Sequence, residues 1–250
     1  MLFLIQKKIK SKLSSVFGGN FREVVIGGAA LNKDVELLLR KIGFNYSVGY
    51  GMTECGPLIS YASWKEFRPG AAGKPVDTLE VKIDSPDPIN VIGEILIKGE
   101  NVMNGYYKNE SATKESFTED GWLKSGDLGH LDKEGFIYIK GRNKNMLLGP
   151  SGQNIYPEEL ESRFANLDYV LDTLVIMRNH KITALVYPNM EKAKLQKLSF
   201  QGIEKIIKGH RRGLNKHLPN FMQIAEIEVR KKEFEKTPKQ SIKRYLYQEN

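Results

Sequence analysis

A 250-residue chain with one cysteine cannot contain an internal disulfide, and Cys55 on its own suits a reducing compartment, so a cytoplasmic setting is expected. Long apolar runs are absent. The first thirteen residues begin with a short hydrophobic stretch but meet lysines at once and offer no small-residue cleavage site. They are expected to be neither a signal peptide nor a membrane span. The four histidines, at 130, 180, 210 and 217, lack the spacing of metal ligands. Acidic residues are scarce in one part of the chain: residues 178–250 hold 17 Lys+Arg against 7 Asp+Glu, whereas residues 1–177 hold 21 against 23. The net charge of +8 therefore comes from the C-terminal part, which permits a nucleic acid, an anionic membrane or a phosphorylated ligand as partner without selecting one.

What is present is an ordinary globular composition, 40% hydrophobic and 27% charged, long enough for a substantial core. Leu2, Ile5, Ile9, Leu13 and Val16 recur at helical spacing beside lysines 7, 8, 10 and 12. Such a basic amphipathic helix is compatible with peripheral membrane contact, although packing on its own protein is the preferred reading. Residues 21–48 read as strand, helix and strand. Val24-Val25-Ile26 forms a buried run, Gly27-Gly28-Ala29-Ala30 a small-residue turn, and Asn32 the N-cap of a helix with Val35, Leu38, Leu39 and Ile42 on its buried face; Gly43 ends it. A second strand near Phe44–Val48 delivers the chain into Gly49-Tyr-Gly-Met-Thr-Glu54, at the end of a parallel strand where open α/β sheets bind ligands. From Trp64 to Arg142 short strands alternate with turn residues, predicting an antiparallel sheet or small barrel. A polar, glycine-bearing connector follows, with a boundary near Lys144. Pro157 then opens a helix buried through Leu160, Phe164 and Leu167, and two strands, a helix and a last strand complete an α+β domain. The fold class expected is α/β followed by α+β. Residues 1–142 comprise an α/β portion (1–63) and a β-rich, barrel-like subdomain (64–142), hinged to a small domain over 143–250.

Two loops carry candidate chemistry. Gly49 and Gly51 let backbone approach a ligand, Tyr50 offers a flat face for a base, Thr53 a hydroxyl, and Glu54 a hard oxygen of the kind Mg²⁺ takes beside phosphate. Asp127 sits in Lys124-Ser-Gly-Asp127-Leu-Gly, where an exposed carboxylate on a tight turn could accept from a ribose diol with help from Arg142. An Asx-type turn capping a hairpin is the alternative.

Taken together, Gly27-Gly-Ala-Ala-Leu31, Gly49-Tyr-Gly-Met-Thr-Glu54, Gly93-Glu-Ile-Leu-Ile-Lys-Gly-Glu-Asn-Val-Met-Asn-Gly-Tyr-Tyr107, Gly121-Trp-Leu-Lys-Ser-Gly-Asp-Leu-Gly129, Lys140-Gly-Arg142 and Asn154-Ile-Tyr-Pro-Glu-Glu-Leu-Glu161 resemble, in order, signature motifs of the acyl-adenylate-forming enzymes. The resemblance implies ATP or AMP with Mg²⁺, and coenzyme A as co-substrate. A carboxylate, here a fatty acid, is joined to AMP with loss of pyrophosphate, then passed to the coenzyme A sulfur. It implies that Gly28 and Ala29 line the adenine and acyl pocket and that Tyr50 stacks on adenine, with Gly51 in the same nucleotide-binding loop. Thr53 would hold the α-phosphate, Glu54 the metal, Asp127 and Arg142 the ribose, and Lys144 would be the hinge.

The family's closing pattern, Thr-Pro-x-Gly-Lys-x-x-Arg, is matched at Thr237, Pro238 and Arg244, but Gln240 stands at the glycine and Ser241 at the lysine. Serine cannot replace an ammonium group. In an extended segment Lys239 and Lys243 would share a face with Ser241, so either could substitute. The Lys243-Arg244 pair and the missing glycine resemble the long-chain fatty acyl-CoA synthetase branch. The family's phosphate loop has no counterpart: Ser14-Ser-Val-Phe-Gly-Gly19 is loosely similar, lacks the following lysine, and reads as a helix ending. The chain is therefore expected to correspond to the C-terminal portion of such a ligase and not to catalyse adenylation alone. An aryl-CoA ligase or a carrier-protein-loading domain is the alternative, against which Lys144 favours acyl-CoA synthesis. A basic membrane- or nucleic-acid-binding module is the reading of a different class; it leaves Thr53, Glu54 and Asp127 unexplained, so neither nucleic acid nor a stable protein partner is expected.

Overall fold

The computed structural model describes residues 2–149, 152–238 and 240–248. The chain divides into two compact units, residues 1–143 and 144–250. Among the described residues no helix is long and apolar enough to cross a membrane.

The first unit begins with α1 (Leu2–Val16), which ends where Gly19 N–H donates to Ser14 O at 2.9 Å, with Gly18 and Gly19 in the left-handed region. The 14–19 segment is thus a helix terminus. Only Leu13 of its described apolar stripe joins the neighbouring core; Ile5, Ile9 and Val16 are exposed, because the sheet beside it has two strands and little face to cover. That sheet pairs β1 (Val24–Ile26) in parallel with β2 (Tyr46–Val48). Between them α2 (Lys33–Lys41) is capped by the Asn32 side chain, which accepts from Asp34 N–H and Val35 N–H. Its buried face differs from the expected one. Leu39 and Ile42 are inside, but Val35 and Leu38 are 44% and 46% exposed and Glu36 takes their place. Glu36 Oε1 accepts from Gly70 N–H at 3.0 Å, so the carboxylate has a partner where it is withdrawn from water.

Two sheets follow. β3 (Tyr50–Gly51), β4 (Leu58–Tyr61) and β5 (Lys74–Pro75) form one, and β6 (Leu79–Asp84), β7 (Gly93–Gly99), β8 (Leu123–Leu131) and β9 (Ile137–Arg142) an antiparallel meander. α3 (Glu110–Ser116) lies between β7 and β8 in the chain. The sheets share one core, with Tyr50, Cys55 and Ile59 against Ile95, Ile97, Leu123 and Ile137. They are laced at one edge, where Ala72 N–H donates to Ile137 O and Ile137 N–H to Gly73 O.

The second unit carries short strands β10 (Leu147–Leu148) and β11 (Asn154–Ile155), then α4 (Pro157–Phe164). β12 (Val170–Arg178) pairs antiparallel with β13 (Lys181–Pro188). After α5 (Met190–Leu195) and α6 (Phe200–Asn215), β14 (Glu226–Val229) joins β13 in parallel. Pro at the first turn and Glu158 and Glu159 beside it suit the start of α4. Its Leu160 and Phe164 are fully buried with Ile203 and Ile207 of α6. Truncating Phe164 to Ala should leave a cavity costing about 3–5 kcal/mol. Urea unfolding measures it; a loss below about 1 kcal/mol would show that Phe164 does not anchor this core.

Candidate functional site

β8 is bulged where its aspartate sits: Gly126 takes φ +72, and the register with β7 shifts between Glu94 and Leu96. Leu123, Ser125 and Asp127 all point inward and are buried, while Lys124 is exposed. Asp127 is therefore not the exposed turn carboxylate expected from its flanking glycines: it lies within a nine-residue strand and is 5% exposed. A carboxylate withdrawn from water needs partners. Asp127 has them: Tyr50 Oη donates to Oδ2 at 2.7 Å, and Arg142 Nε lies 2.8 Å from Oδ1. Arg142 is the cross-strand partner of Asp127 in the β8–β9 register, with its own side chain 58% exposed. The guanidinium thus connects a buried charge to the surface.

Tyr50 is itself buried. Its ring packs in the shared core, and burial, then the Asp127 charge, push the phenol well above its ordinary range. Its hydroxyl fixes the aspartate.

The remaining site residues leave strand ends around this pair. Gly27 closes on Gly49, whose carbonyl oxygen would lie 3.4 Å from a Cβ at Gly27, and Gly49 N–H donates to Ile26 O at 2.9 Å. The Gly28-Ala29 turn is exposed at the C-terminal end of β1, with Gly28 at φ +88. Gly51 is required sterically: a Cβ there would fall 2.1 Å from Pro57 O. Beyond it a short helical turn, Thr53–Cys55, presents an exposed Thr53 and a half-buried Glu54, whose Oε1 accepts from Tyr106 Oη at 2.9 Å. Cys55 is buried, and burial followed by the Glu54 charge pushes its thiol up to about 11, so it is a packed residue and no nucleophile. Among the described residues no group of three or more His, Cys, Asp and Glu could hold a metal. Glu54 fits Mg²⁺ only in the manner of a single carboxylate shared with phosphate oxygens and water.

Gly28, Ala29, Tyr50, Gly51, Thr53, Glu54, Asp127 and Arg142 thus belong to one continuous set of contacts and chain neighbours within the first unit. Lys144 is exposed on a short turn, Asn143–Asn145, at the start of the second. Lys239 lies outside the described residues. The tail around it is not extended: Thr237 N–H donates to Ser241 O at 2.8 Å, and Lys236 pairs with Ile242 as an isolated antiparallel bridge. Gln240 adopts φ +62, the left-handed conformation that favours glycine, at the position where the family pattern has one. Lys243 follows, its Nζ 3.4 Å from Glu235 Oε2.

Two sets of residues were given no role from the sequence. Tyr106 is one. The other is a polar chain inside the second unit: Asn145 Nδ2 donates to Glu158 Oε1 at 2.6 Å, Arg244 pairs with Glu158 and Glu161, and Glu161 Oε1 accepts from Val175 N–H at 2.7 Å. Burial raises the Glu161 carboxyl despite Arg244. Tyr106, Glu158, Glu161 and Arg244 lie in quoted motifs, so their presence was readable and their pairing was not.

Residues 1–107 match the family model for AMP-binding enzymes. The chain is 34% identical over 173 residues to a long-chain-fatty-acid–CoA ligase of Mycobacterium bovis, covering 69% of this chain and 28% of that protein. It is 38% identical over 148 residues to 2-succinylbenzoate–CoA ligase of Bacillus subtilis, covering 57% and 30%. The chain belongs to the acyl-adenylate-forming, AMP-binding superfamily. Among solved structures, o-succinylbenzoate CoA synthetase of Bacillus subtilis matches in complex with ATP and magnesium ion (TM-score 0.75, 28% identity, 90% of this chain and 46% of that one). It also matches in complex with its acyl-adenylate intermediate (TM-score 0.76, 28% identity, 94% and 49%). The chain spans under a third of the two curated relatives and about half of the solved superfamily members.

Proposed function

We propose that this chain forms part of an ATP-dependent ligase that activates a long-chain fatty acid as acyl-AMP and transfers it to coenzyme A. The observation that carries the reading is the buried Asp127 carboxylate clamped by Tyr50 and Arg142 beside the Thr53–Glu54 turn. A carboxylate offers about four acceptor positions, so a ribose diol can donate to the same oxygens that Tyr50 and Arg142 engage. Arg142 adds donors from the exposed side. The Gly28-Ala29 turn and Gly51 give the nucleotide close access to backbone, and Thr53 donates its hydroxyl to the α-phosphate. Glu54 supplies one oxygen to Mg²⁺, which when bound neutralises charge on the phosphate oxygens. The chemistry needs this arrangement because a bare carboxylate has oxide as its leaving group, whereas the mixed anhydride with AMP has a stabilised one.

Lys144 serves as the hinge of residues 143–250, whose basic surface is suited to the phosphates of coenzyme A. Lys239 or Lys243 is assigned the ammonium group that Ser241 lacks. A second reading, a ligase for an aromatic acid, rests on the 38% identity to 2-succinylbenzoate–CoA ligase. The amphipathic first helix and the absence of a span among the described residues fit a cytoplasmic protein in peripheral contact with membrane.

The nucleotide site is tested by calorimetry. ATP should bind this chain about tenfold or more tighter than 2′,3′-dideoxy-ATP, since two hydrogen bonds to a charged site are lost. Equal affinities would remove Asp127 and Arg142 from ribose recognition. The acid is tested by pyrophosphate release from the full-length protein. A straight long-chain acid should exceed succinylbenzoate by about tenfold or more, and Lys243→Ala or Lys239→Ala should slow release. The reverse preference would replace the fatty-acid reading with the aromatic one, and unchanged rates in both variants would discard the lysine assignment.

A further inference from the structure

The segment 101–106, between β7 and α3, is fastened along its length to the turn that carries Glu54. Asn101 Nδ2 donates to Cys55 O at 3.0 Å and to Leu58 O at 3.2 Å, while its Oδ1 accepts from Thr78 Oγ1 at 2.8 Å. Two residues on, Met103 N–H donates to Glu54 O at 2.7 Å. Val102 and Met103 pack against the shared core, so the segment is held by apolar contact as well. Its far end is fixed too. Tyr106 N–H donates to Thr113 Oγ1 at 2.9 Å, that hydroxyl donates to Asn109 O at 2.8 Å, and a Cβ at Gly105 would fall 2.7 Å from Thr113 Cγ2. The result of these fixings is one side-chain contact: Tyr106 Oη on Glu54 Oε1 at 2.9 Å.

A glutamate on a half-exposed three-residue turn has several rotamers, and a metal shared with phosphate requires one of them. From this geometry we propose that Tyr106 is a positioning residue for Glu54: by holding Oε1 it fixes the carboxylate so that the other oxygen faces the nucleotide-bound divalent cation. The assignment rests on Glu54 as the metal ligand of the proposed function. It adds a residue that touches neither metal nor nucleotide.

Two effects of removing the hydroxyl oppose each other. Losing a donor makes Glu54 a more basic ligand, which tightens metal binding; losing its orientation weakens binding, and outer-shell partners of this kind are worth about tenfold or more in metal affinity. The test uses the full 250-residue chain with Mn²⁺ as the probe, its free signal followed by electron paramagnetic resonance with ATP present. Calorimetry with ATP in excess chelator supplies the metal-free comparison. Tyr106→Phe should weaken Mn²⁺ uptake with ATP about tenfold and leave metal-free ATP binding unchanged. In a Glu54→Gln background the same change should have no further effect. Unchanged or tighter Mn²⁺ uptake in Tyr106→Phe would overturn the proposal, as would an equal loss of metal-free ATP binding, which would make Tyr106 merely structural. If the wild-type chain takes up no Mn²⁺ with ATP, or Glu54→Gln takes up as much as wild type, the metal-ligand reading of Glu54 fails first.

Discussion

A carboxylate removed from water costs several kcal/mol unless other groups replace its hydration. Asp127 meets that requirement through Tyr50 and Arg142, and the arrangement of the first unit follows from it. Tyr50 belongs to the strand leaving the parallel β1–β2 end, and Asp127 and Arg142 to the meander. The pair of bonds therefore ties the loop bearing Thr53 and Glu54 to β8 and β9. Apolar packing between the sheets makes the same connection without direction, whereas the hydrogen bonds specify which side chains meet. The partly exposed Arg142 makes the charge addressable from solvent, so the group can be both structural and ligand-binding.

The Glu54 turn has a second set of supports. Asn101, Met103 and Tyr106 reach it from the segment after β7, and Gly51 lets Pro57 close behind it. Within the second unit, Arg244 ties the tail to α4 through Glu158 and Glu161, and Asn145 brings the residue after Lys144 into the same chain of contacts. Asn145, next to Lys144, and Arg244, next to Lys243, thus belong to one network although they are far apart in the chain.

Much of this was legible in the residues. The Asn32 cap, the Gly43 stop, the strand runs at 24–26 and 170–177 and the α4 face through Leu160 and Phe164 follow from local rules and reappear in the structure. The six ordered motifs pointed to the superfamily on the strength of loop residues. What failed was direction. Glycines around Asp127 suggested an exposed turn; Gly126 does take φ +72, as a bulge within β8, but the carboxylate after it is buried on Tyr50 and Arg142. Val35 and Leu38 outrank Glu36 in hydrophobicity, yet the acid is the buried residue, on a backbone donor at Gly70, thirty-four residues away. Gln240 shows the converse: glutamine stands where the family pattern has glycine, and the left-handed conformation is present all the same. For Asp127 and Glu36 the deciding partner is distant in sequence, and no local pattern records it.

The central claim is that the loops gathered around Asp127 form a nucleotide site. Amide hydrogen exchange with and without ATP measures this directly. Slowed exchange at residues 27–30, 49–54 and 123–127, with 203–216 in the basic second unit unchanged, is the predicted result; protection confined to 203–216, or none in the first unit, would contradict it.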